Sequence, residues 1–271
     1  MTLVVGTDEA GYGPNLGPLV IAATAWQVDA APADAAGLIA KAVEDAAAAA
    51  GPLWGDSKRI YRGGGGFAAL ERGALVATAL AAGGIARSWA DLEAAFGLPA
   101  EADAAGPEEG RLAGSPLPLE ADAEDCRRLA ASVAACLAAA RVMLVAVRVR
   151  VVQPAEFNRQ LDAGLNKSDI LSQATLDLAV QLAATGGGPT LVWCDRHGGR
   201  RRYAGLLSRH FRAPLVRVVT ETAAVSGYEI PAADCRVEFT VGGESRTPVA
   251  VASMTAKYVR ELAMRAFNAH W

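Results

Sequence analysis

Cysteine pairs, histidines and long hydrophobic runs are scarce in this 271-residue sequence, and each shortage excludes a class of protein. The four cysteines form no C-x-x-C pair and only three histidines are present, which argues against a zinc site or a disulfide framework. Hydrophobic residues make up 52% of the chain, but alanine supplies much of that share, and no stretch approaches the ~20 bulky residues of a membrane span. The start, MTLVVGTDEAG, lacks the basic residues of a targeting peptide. We therefore expect a soluble, cytoplasmic protein that does not enter a membrane.

An excess of positive charge is also lacking. The chain has 26 Lys and Arg against 29 Asp and Glu, a net charge of −3, which excludes a histone-like coating of nucleic acid but permits a local basic patch. The length fits one large α/β domain. We expect a single domain, 1–271, with an insertion at about 63–140. Within it, residues 90–124 are rich in Ala, Glu, Pro and Gly, and we predict an insertion or mobile loop there.

The first half of the sequence predicts two strands followed by alanine-rich helices. Leu3–Thr7 and Leu19–Trp26 are β-branched runs, and the Gly- and Pro-rich residues 11–18 between them predict a turn that joins two antiparallel strands. Residues 33–50 favour a helix through their alanine content. A further helix is predicted at about 125–141.

The second half alternates predicted strands and helices. Val142–Val152 predicts a long strand. Leu165–Ala184 predicts an amphipathic helix that leads to Thr190–Cys194, an apolar run typical of a strand buried on both faces. We expect Leu215–Val219 beside that strand. The last predicted elements are a hairpin that pairs Arg236–Val241 with Thr247–Val251, and a final helix from about Ser253.

Acidic side chains at two predicted strand ends are the first candidates for a functional site. Asp8 and Glu9 follow the first strand, and Asp195 ends the most hydrophobic strand, where ligands bind in open α/β sheets. Successive side chains of a strand point to opposite faces, so Asp8 and Glu9 share one site only if the strand distorts, which Gly11 and Gly13 permit. A cation would relieve the repulsion between the two acids. The alternative makes Asp8 a turn cap and Glu9 a solvated acid.

A basic loop follows Asp195 directly. Residues 196–203 read RHGGRRRY, so Arg196, Arg200 and their neighbours suit phosphate contacts, and Tyr203 suits stacking on a sugar or base. The alternative is a solvated run of charge. The position directly after a strand-end acid favours the functional interpretation.

Two more polar groups stand out. Ser253, Lys257 and Glu261 recur every four residues and share one stripe of the final helix, with a surface ion pair between Lys257 and Glu261 as the simpler alternative. In Asp56-Ser57-Lys58, the Ser57 hydroxyl and the Lys58 ammonium group are suited to a phosphate.

Four carboxylates from distant parts of the chain can meet at one point of an α/β sheet. They are Asp8, Glu9, Asp195 and Glu261. Hard oxygen ligands suit Mg²⁺ or Mn²⁺, and two such ions ~4 Å apart can clamp the attacking and leaving oxygens of a phosphodiester. The constellation predicts metal-dependent phosphodiester hydrolysis.

These residues resemble a known family. The segment GTDEAGYGPNLGPLVIAA is similar to the opening of the type 2 ribonucleases H, the ribonuclease HII and HIII family, whose signature is an Asp-Glu pair, a Gly-Arg-Gly turn and a Gly-Pro before the second strand. Three further stretches match in order: Asp56-Ser57-Lys58, Leu165-Asn166 through Leu171, and residues 252–261, ASMTAKYVRE. Cys194-Asp195 falls where the family has its strand-end aspartate. The resemblance covers about residues 1–61 and 150–261.

The resemblance implies a ribonuclease H-like α/β fold, with a mixed central β-sheet flanked by helices, and cleavage of RNA paired to DNA with two Mg²⁺ or Mn²⁺ ions. Asp8, Glu9, Asp195 and Glu261 take the catalytic, metal-binding positions. The turn takes the position whose backbone senses the ribose hydroxyl. Together with the basic loop, the expected substrate-binding residues are Gly11, Tyr12, Gly13, Ser57, Lys58, Asn166, Arg196, Arg200, Ser253 and Lys257.

The sequence departs from the family pattern in three places. Tyr12 replaces the arginine of the turn, Glu261 replaces an aspartate, and Trp271 precedes the family's C-terminal helices with their junction-sensing tyrosine. The glutamate keeps the ligand type. The other two changes bear on substrate choice, and we expect ribose dependence to persist while a single embedded ribonucleotide is discriminated poorly.

The leading hypothesis is a monomeric endonuclease whose partner is nucleic acid. It hydrolyses the RNA strand of RNA/DNA hybrids, or cuts at embedded ribonucleotides, and leaves a 3′-hydroxyl. Two alternatives remain: a nuclease of the same fold that acts on another nucleic-acid structure, and a binding protein that has lost turnover.

Overall fold

A seven-stranded mixed sheet forms the centre of the protein. The computed structural model describes residues 1–13, 16–51, 53–55, 66–98 and 116–270, and in these the strands lie in the order β3-β2-β1-β4-β7-β6-β5. Strands β1, β4 and β7 run parallel, and the other neighbours are antiparallel. The strands are β1 Thr2–Ala10, β2 Leu19–Val28, β3 Val142–Val152, β4 Thr190–Asp195, β5 Arg217–Glu221, β6 Val225–Ile230 and β7 Cys235–Thr240.

Helices cover both faces of this sheet, which confirms the predicted fold class of a mixed sheet flanked by helices. One face packs against α1, α2, α3, α4 and α8, and the other against α5, α6 and α7. None of the described helices is both long and apolar enough to cross a bilayer. The helices are α1 Pro32–Ala50, α2 Gly66–Ala82, α3 Trp89–Phe96, α4 Ala123–Ala139, α5 Pro154–Asp162, α6 Lys167–Ala183, α7 Ala204–His210 and α8 Thr247–His270.

The close packing of α8 on β1 depends on a glycine. A Cβ atom added at Gly6 would lie 2.3 Å from the carbonyl carbon of Pro248, so only glycine lets the first turn of α8 rest directly on the strand. The carbonyl of Pro248 also accepts a hydrogen bond of 2.8 Å from Thr24 Oγ1 on β2. These contacts fix the start of α8 over the middle of the sheet.

Two predicted pairings in the C-terminal part are wrong. The neighbours of β4 are β1 and β7, whereas the segment predicted beside it, Leu215–Val219, contributes to the edge strand β5. The predicted hairpin partner Thr247–Val251 is instead the first turn of α8. Pro248 explains this error, because proline lacks an N–H but fits the first turn of a helix. The strand that pairs antiparallel with β7 is β6.

Within residues 63–140, the described parts contribute to the core. The loop that was one of the two alternatives predicted for 90–124 is wrong for α3, where Ser88 caps the helix and Leu92 and Phe96 are buried one turn apart. Residues 99–115 of that predicted loop lie outside the described residues. That 63–140 is an insertion stays a prediction.

A buried carboxylate ties this region to α8. Glu71 on α2 accepts hydrogen bonds from the backbone N–H groups of Leu119, Glu120 and Ala121, at 2.7, 2.7 and 2.8 Å. It also accepts one from the Tyr258 hydroxyl of α8, at 3.1 Å. These four hydrogen-bond donors offset the free-energy cost of burying the Glu71 carboxylate.

Candidate active site

The site lies in a crevice between the carboxyl ends of two parallel strands. β1 and β4 pair from Leu3 to Thr7 of β1, and the pairing ends with Thr7 opposite Cys194. β1 continues to Ala10 along β2, while β4 ends at Asp195. Such crevices are where open α/β sheets bind ligands, because side chains there reach solvent without a neighbouring strand.

One cavity of about 300 Å³ opens at this crevice. The structure brings nine of the predicted site residues to its wall: Asp8, Glu9, Gly11, Tyr12, Gly13, Asp195, Ser253, Lys257 and Glu261. Ala10, Glu244 and Arg260 complete the lining. Three elements far apart in sequence therefore meet here.

The distortion of β1 that was expected between Asp8 and Glu9 is absent. β1 keeps its register with β2 without a shift up to the pair of Ala10 with Val20. Both carboxylates still border the cavity, which opens at the end of the strand.

The carboxylates repel one another in a buried setting. Burial, together with the negative charges of Asp195 and Glu244, raises the pKa of Asp8 to about 7. Burial and the charges of Asp8 and Asp195 also raise the pKa of Glu9 well above its usual value. Hydrogen bonds from the N–H of Glu9, at 2.8 Å, and from Ser253 oppose the shift at Asp8. The cavity thus brings several acidic groups together in a buried setting.

Helix α8 supplies the polar side chains that face these acids. Ser253, Lys257, Arg260 and Glu261 lie along one side of the helix, as the four-residue spacing predicts, and all line the cavity. Arg260 reaches over the glycine-rich turn, where its Nη2 donates to the carbonyl of Leu16 at 2.8 Å. The helix therefore contributes both an ammonium group and a guanidinium group beside the carboxylates.

Glu244 is the site residue that sequence reasoning missed. It lies in the 3₁₀ turn Gly243–Ser245, here called the Glu244 turn, between β7 and α8. The N–H of Gly243 donates to Asp195 Oδ1 at 2.8 Å, which holds the turn against the end of β4. The sequence feature that could have revealed Glu244 is its position, a few residues before the helix that carries Ser253, Lys257 and Glu261. It was overlooked because Gly242-Gly243 was interpreted as a hairpin turn.

Tyr12 connects the glycine-rich turn with the basic loop. Its hydroxyl would lie 2.9 Å from a Cβ atom at Gly198, whose φ of +58° also favours glycine. Burial and the charge of Glu9 raise the pKa of Tyr12, and the nearby charge of Arg200 opposes this. The phenol thus lies between an acid of the site and a cation of the loop.

The basic loop differs from the prediction in which arginines it offers. Arg196 is buried, and its guanidinium donates to the carbonyls of Ala223 and Thr222 and to Ser226 Oγ, so it holds the β5–β6 hairpin instead of facing a phosphate. Arg200 binds Ser168 and Asp169 at the start of α6. The solvent-facing members are the two that follow, Arg201 and Arg202.

Of the remaining predicted residues, the structure describes only Asn166, which is not part of the cavity wall. Asn166 caps α6, where its side chain accepts the N–H of Asp169 at 3.0 Å. This structural role differs from the predicted contact with substrate. Ser57 and Lys58 lie outside the described residues.

The donor set of the cavity fits a hard divalent cation. Carboxylate oxygens are the ligands that Mg²⁺ and Mn²⁺ prefer, and mutual repulsion in a buried cavity is what a cation relieves. Among the described residues, no three His, Cys, Asp or Glu side chains already stand as a group that could hold an ion. The fit therefore rests on the chemistry of these donors and not on a preformed coordination geometry.

Comparisons with known proteins give similarity in structure only. No protein-family model matches the chain, and no curated protein matches its sequence. Ribonuclease HII of Archaeoglobus fulgidus, solved in complex with PCNA, is 15% identical, with a TM-score of 0.43 over 99% of this chain and 77% of that chain. Bst ribonuclease HIII in complex with Mn²⁺ is 15% identical, with a TM-score of 0.44 over 99% of this chain and 55% of that one. The ribonuclease H2 of Pyrococcus horikoshii OT3 is 15% identical, with a TM-score of 0.39 over 98% and 76%. These identities and scores are too low to place the chain in a family.

Proposed function

We propose that this protein is a divalent-metal-dependent endonuclease that hydrolyses the RNA strand of RNA/DNA hybrids or cuts at embedded ribonucleotides. The observation that supports it most is the convergence of Asp8, Glu9 and Asp195 with Glu244 in one cavity that also receives Lys257. Buried like charges are costly, so their assembly at a strand-end crevice supports the proposal of a cation site. The resemblance in sequence to the type 2 ribonucleases H supports the choice of substrate.

We assign metal binding, orientation of the carboxylates and phosphate binding to different residues of the cavity. Asp8, Glu9, Asp195 and Glu244 would hold two Mg²⁺ or Mn²⁺ ions, with Glu261 as a further oxygen donor at the same wall. Bound divalent ions would lower the pKa of a water molecule and neutralise charge that develops on the phosphate. Ser253 orients the Asp8 carboxylate by its hydrogen bond, and Lys257 offers its ammonium group to a substrate phosphate.

The glycine-rich turn and Tyr12 would meet the sugar. Backbone N–H groups at Gly11 and Gly13 can approach a ribose closely because no side chain intervenes, and the 2′-hydroxyl distinguishes RNA from DNA. Tyr12 can add one hydrogen bond or a stacking contact, but no fixed positive charge. We therefore propose ribose-dependent cleavage with weaker phosphate contact at the turn.

One assay tests the function directly. Purified protein is incubated with Mg²⁺ or Mn²⁺ and an RNA/DNA hybrid, duplex DNA, duplex RNA, or a DNA duplex with one ribonucleotide. We expect cleavage of the hybrid that leaves a 3′-hydroxyl, and none without the metal. Cutting of a substrate without ribose would instead indicate a nuclease with another target, and binding without cleavage would indicate a non-catalytic protein.

The two glutamates that line the cavity should differ in their effects. Glu244 acts on Asp8 electrostatically and lies in a turn bound to Asp195, so Glu244→Gln should lower the cleavage rate ~100-fold or more. Glu261→Gln should lower it less than ~10-fold, because the charges named as raising the pKa of Asp8 are those of Asp195 and Glu244. Single-turnover rates on the hybrid measure both. A larger loss for Glu261→Gln would restore the assignment made from sequence.

The exposed arginines of the basic loop should contribute non-specific binding. Replacing Arg201 and Arg202 with serine should weaken hybrid binding about equally across sequences and reduce the log-log salt slope by ~1 per lost phosphate contact. Arg209→Ser, an exposed arginine at the end of α7, is the control. An unchanged salt slope in the double variant would mean that the loop is merely solvated.

A further inference from the structure

Arg246 lies at the junction between the Glu244 turn and α8. Its N–H donates to the carbonyl of Gly243 at 2.9 Å, and its own carbonyl accepts the N–H of Ala250, also at 2.9 Å. The backbone of Arg246 is thus bonded to the turn on one side and to the first turn of the helix on the other. Any shift of this residue must move Glu244.

The side chain of Arg246 fastens that junction to the sheet. Its guanidinium carbon lies 4.7 Å from the centre of the Trp193 ring, and its Nη2 donates to Glu238 Oε2 at 2.5 Å. Trp193 and Glu238 are paired neighbours on β4 and β7. Trp193 precedes Asp195 by two residues, so the anchor of the junction and the Asp195 carboxylate belong to the same strand.

Arg246 does not border the carboxylate cavity. It lines a separate groove of about 670 Å³ on the sheet face beside the start of α1. Its influence on the cavity must therefore pass through the Glu244 turn, which contacts Asp195 by the hydrogen bond from Gly243.

We propose that Arg246 is a positioning residue that holds Glu244 and Asp195 in the relative placement needed to bind a divalent cation, an inference that rests on the proposed function. Arginine suits this task because its planar group can stack on an indole and donate to a carboxylate at the same time. Lysine keeps the charge but loses the flat stacking surface. Residues outside the ligand set that orient ligands commonly change metal affinity 10–100-fold when replaced.

The chain offers a matched control in the same groove. Arg236 on β7, the strand next to β4, pairs with Glu229 on β6 at 2.6 Å, and its described contacts do not include the Glu244 turn. Arg236→Lys therefore alters an arginine–glutamate ion pair, as Arg246→Lys does, without loosening the junction between the Glu244 turn and α8. Both variants retain the net charge.

The test measures Mn²⁺ affinity on full-length, metal-stripped protein by electron paramagnetic resonance of free Mn²⁺, with a melting curve in EDTA for each variant. We expect Arg246→Lys to weaken Mn²⁺ binding ~10-fold and to lower kcat on the hybrid with little change in KM. Arg236→Lys should leave all three unchanged. Glu238→Gln, which removes one half of the anchor and preserves shape, should weaken Mn²⁺ binding in the same direction by a smaller factor.

A double variant separates positioning from general stabilisation. If Arg246 acts through Glu244, Arg246→Lys should cause no further loss of Mn²⁺ affinity in a Glu244→Gln background. An equal loss in both backgrounds, or wild-type affinity in Arg246→Lys, would overturn the inference. Wild-type protein that binds Mn²⁺ but cuts no nucleic acid would refute the proposed function. The Mn²⁺ affinities of the variants would then still decide whether Arg246 positions the ligands. Wild-type protein that binds no Mn²⁺ would refute both.

Discussion

Asp8→Asn is expected to abolish cleavage of an RNA/DNA hybrid and, at the same time, to stabilise the metal-free protein. The variant removes a charged oxygen ligand without changing the shape of the side chain, so the cleavage rate should fall at least ~1000-fold, which corresponds to ~4 kcal/mol of transition-state stabilisation. In EDTA at pH 8, loss of a buried charge beside Asp195 and Glu244 should raise the free energy of unfolding by ~1–3 kcal/mol.

The opposite signs of these two effects make the experiment informative. Hybrid affinity is measured alongside and should change little, since the basic groups proposed to contact phosphates remain. Asp162→Asn, at the exposed end of α5, is the control and should alter neither quantity. An Asp8→Asn protein that is less stable and still active would mean that Asp8 is a structural residue.

Glu71→Gln should cause the largest loss of stability, ~3–5 kcal/mol. The amide that replaces the carboxylate has one acceptor oxygen in place of two, and its NH₂ group would face backbone N–H donors at Leu119 to Ala121. At least one buried donor then loses its partner, and the charge-assisted character of the remaining bonds disappears. Urea unfolding followed by circular dichroism measures the change.

Two variants bracket this expectation. Tyr258→Phe removes only the hydroxyl bond to Glu71 and should cost ~1 kcal/mol. Glu44→Gln, on the exposed side of α1, should stay within ~0.5 kcal/mol of the wild type. A Glu71→Gln protein as stable as Glu44→Gln would show that the four hydrogen bonds contribute little.

Local patterns in the sequence were sufficient where neighbours in the chain decide the structure. The β1–β2 pair followed from β-branched runs on either side of a Gly- and Pro-rich turn, and it forms as predicted. The stripe of Ser253, Lys257 and Glu261 followed from helical spacing alone, and all three reach the same cavity. Asp195 was singled out because it ends a wholly apolar run.

Partners that are distant in the chain account for what was missed. Arg196 looks like a free cation in the sequence, and only the carbonyls of Thr222 and Ala223, on a hairpin not recognised beforehand, reveal it as buried. That hairpin was missed because β6, VSGYEI, interrupts its apolar pattern with Ser and Gly. Glu244 was hidden for a related reason, since the parallel pairing of β7 with β4 has no local signature.

The packing of α8 over Gly6 also sets an order of events during synthesis. β1 is translated well before its partner β4 and before α8, the helix that covers it. Contacts between such distant segments form late, because a long loop must close before they can stabilise the structure. A nascent chain that still lacks α8 therefore carries Asp8 and Glu9 without Ser253 or Lys257. On the proposed function, the site would therefore stay incomplete until α8 has been made.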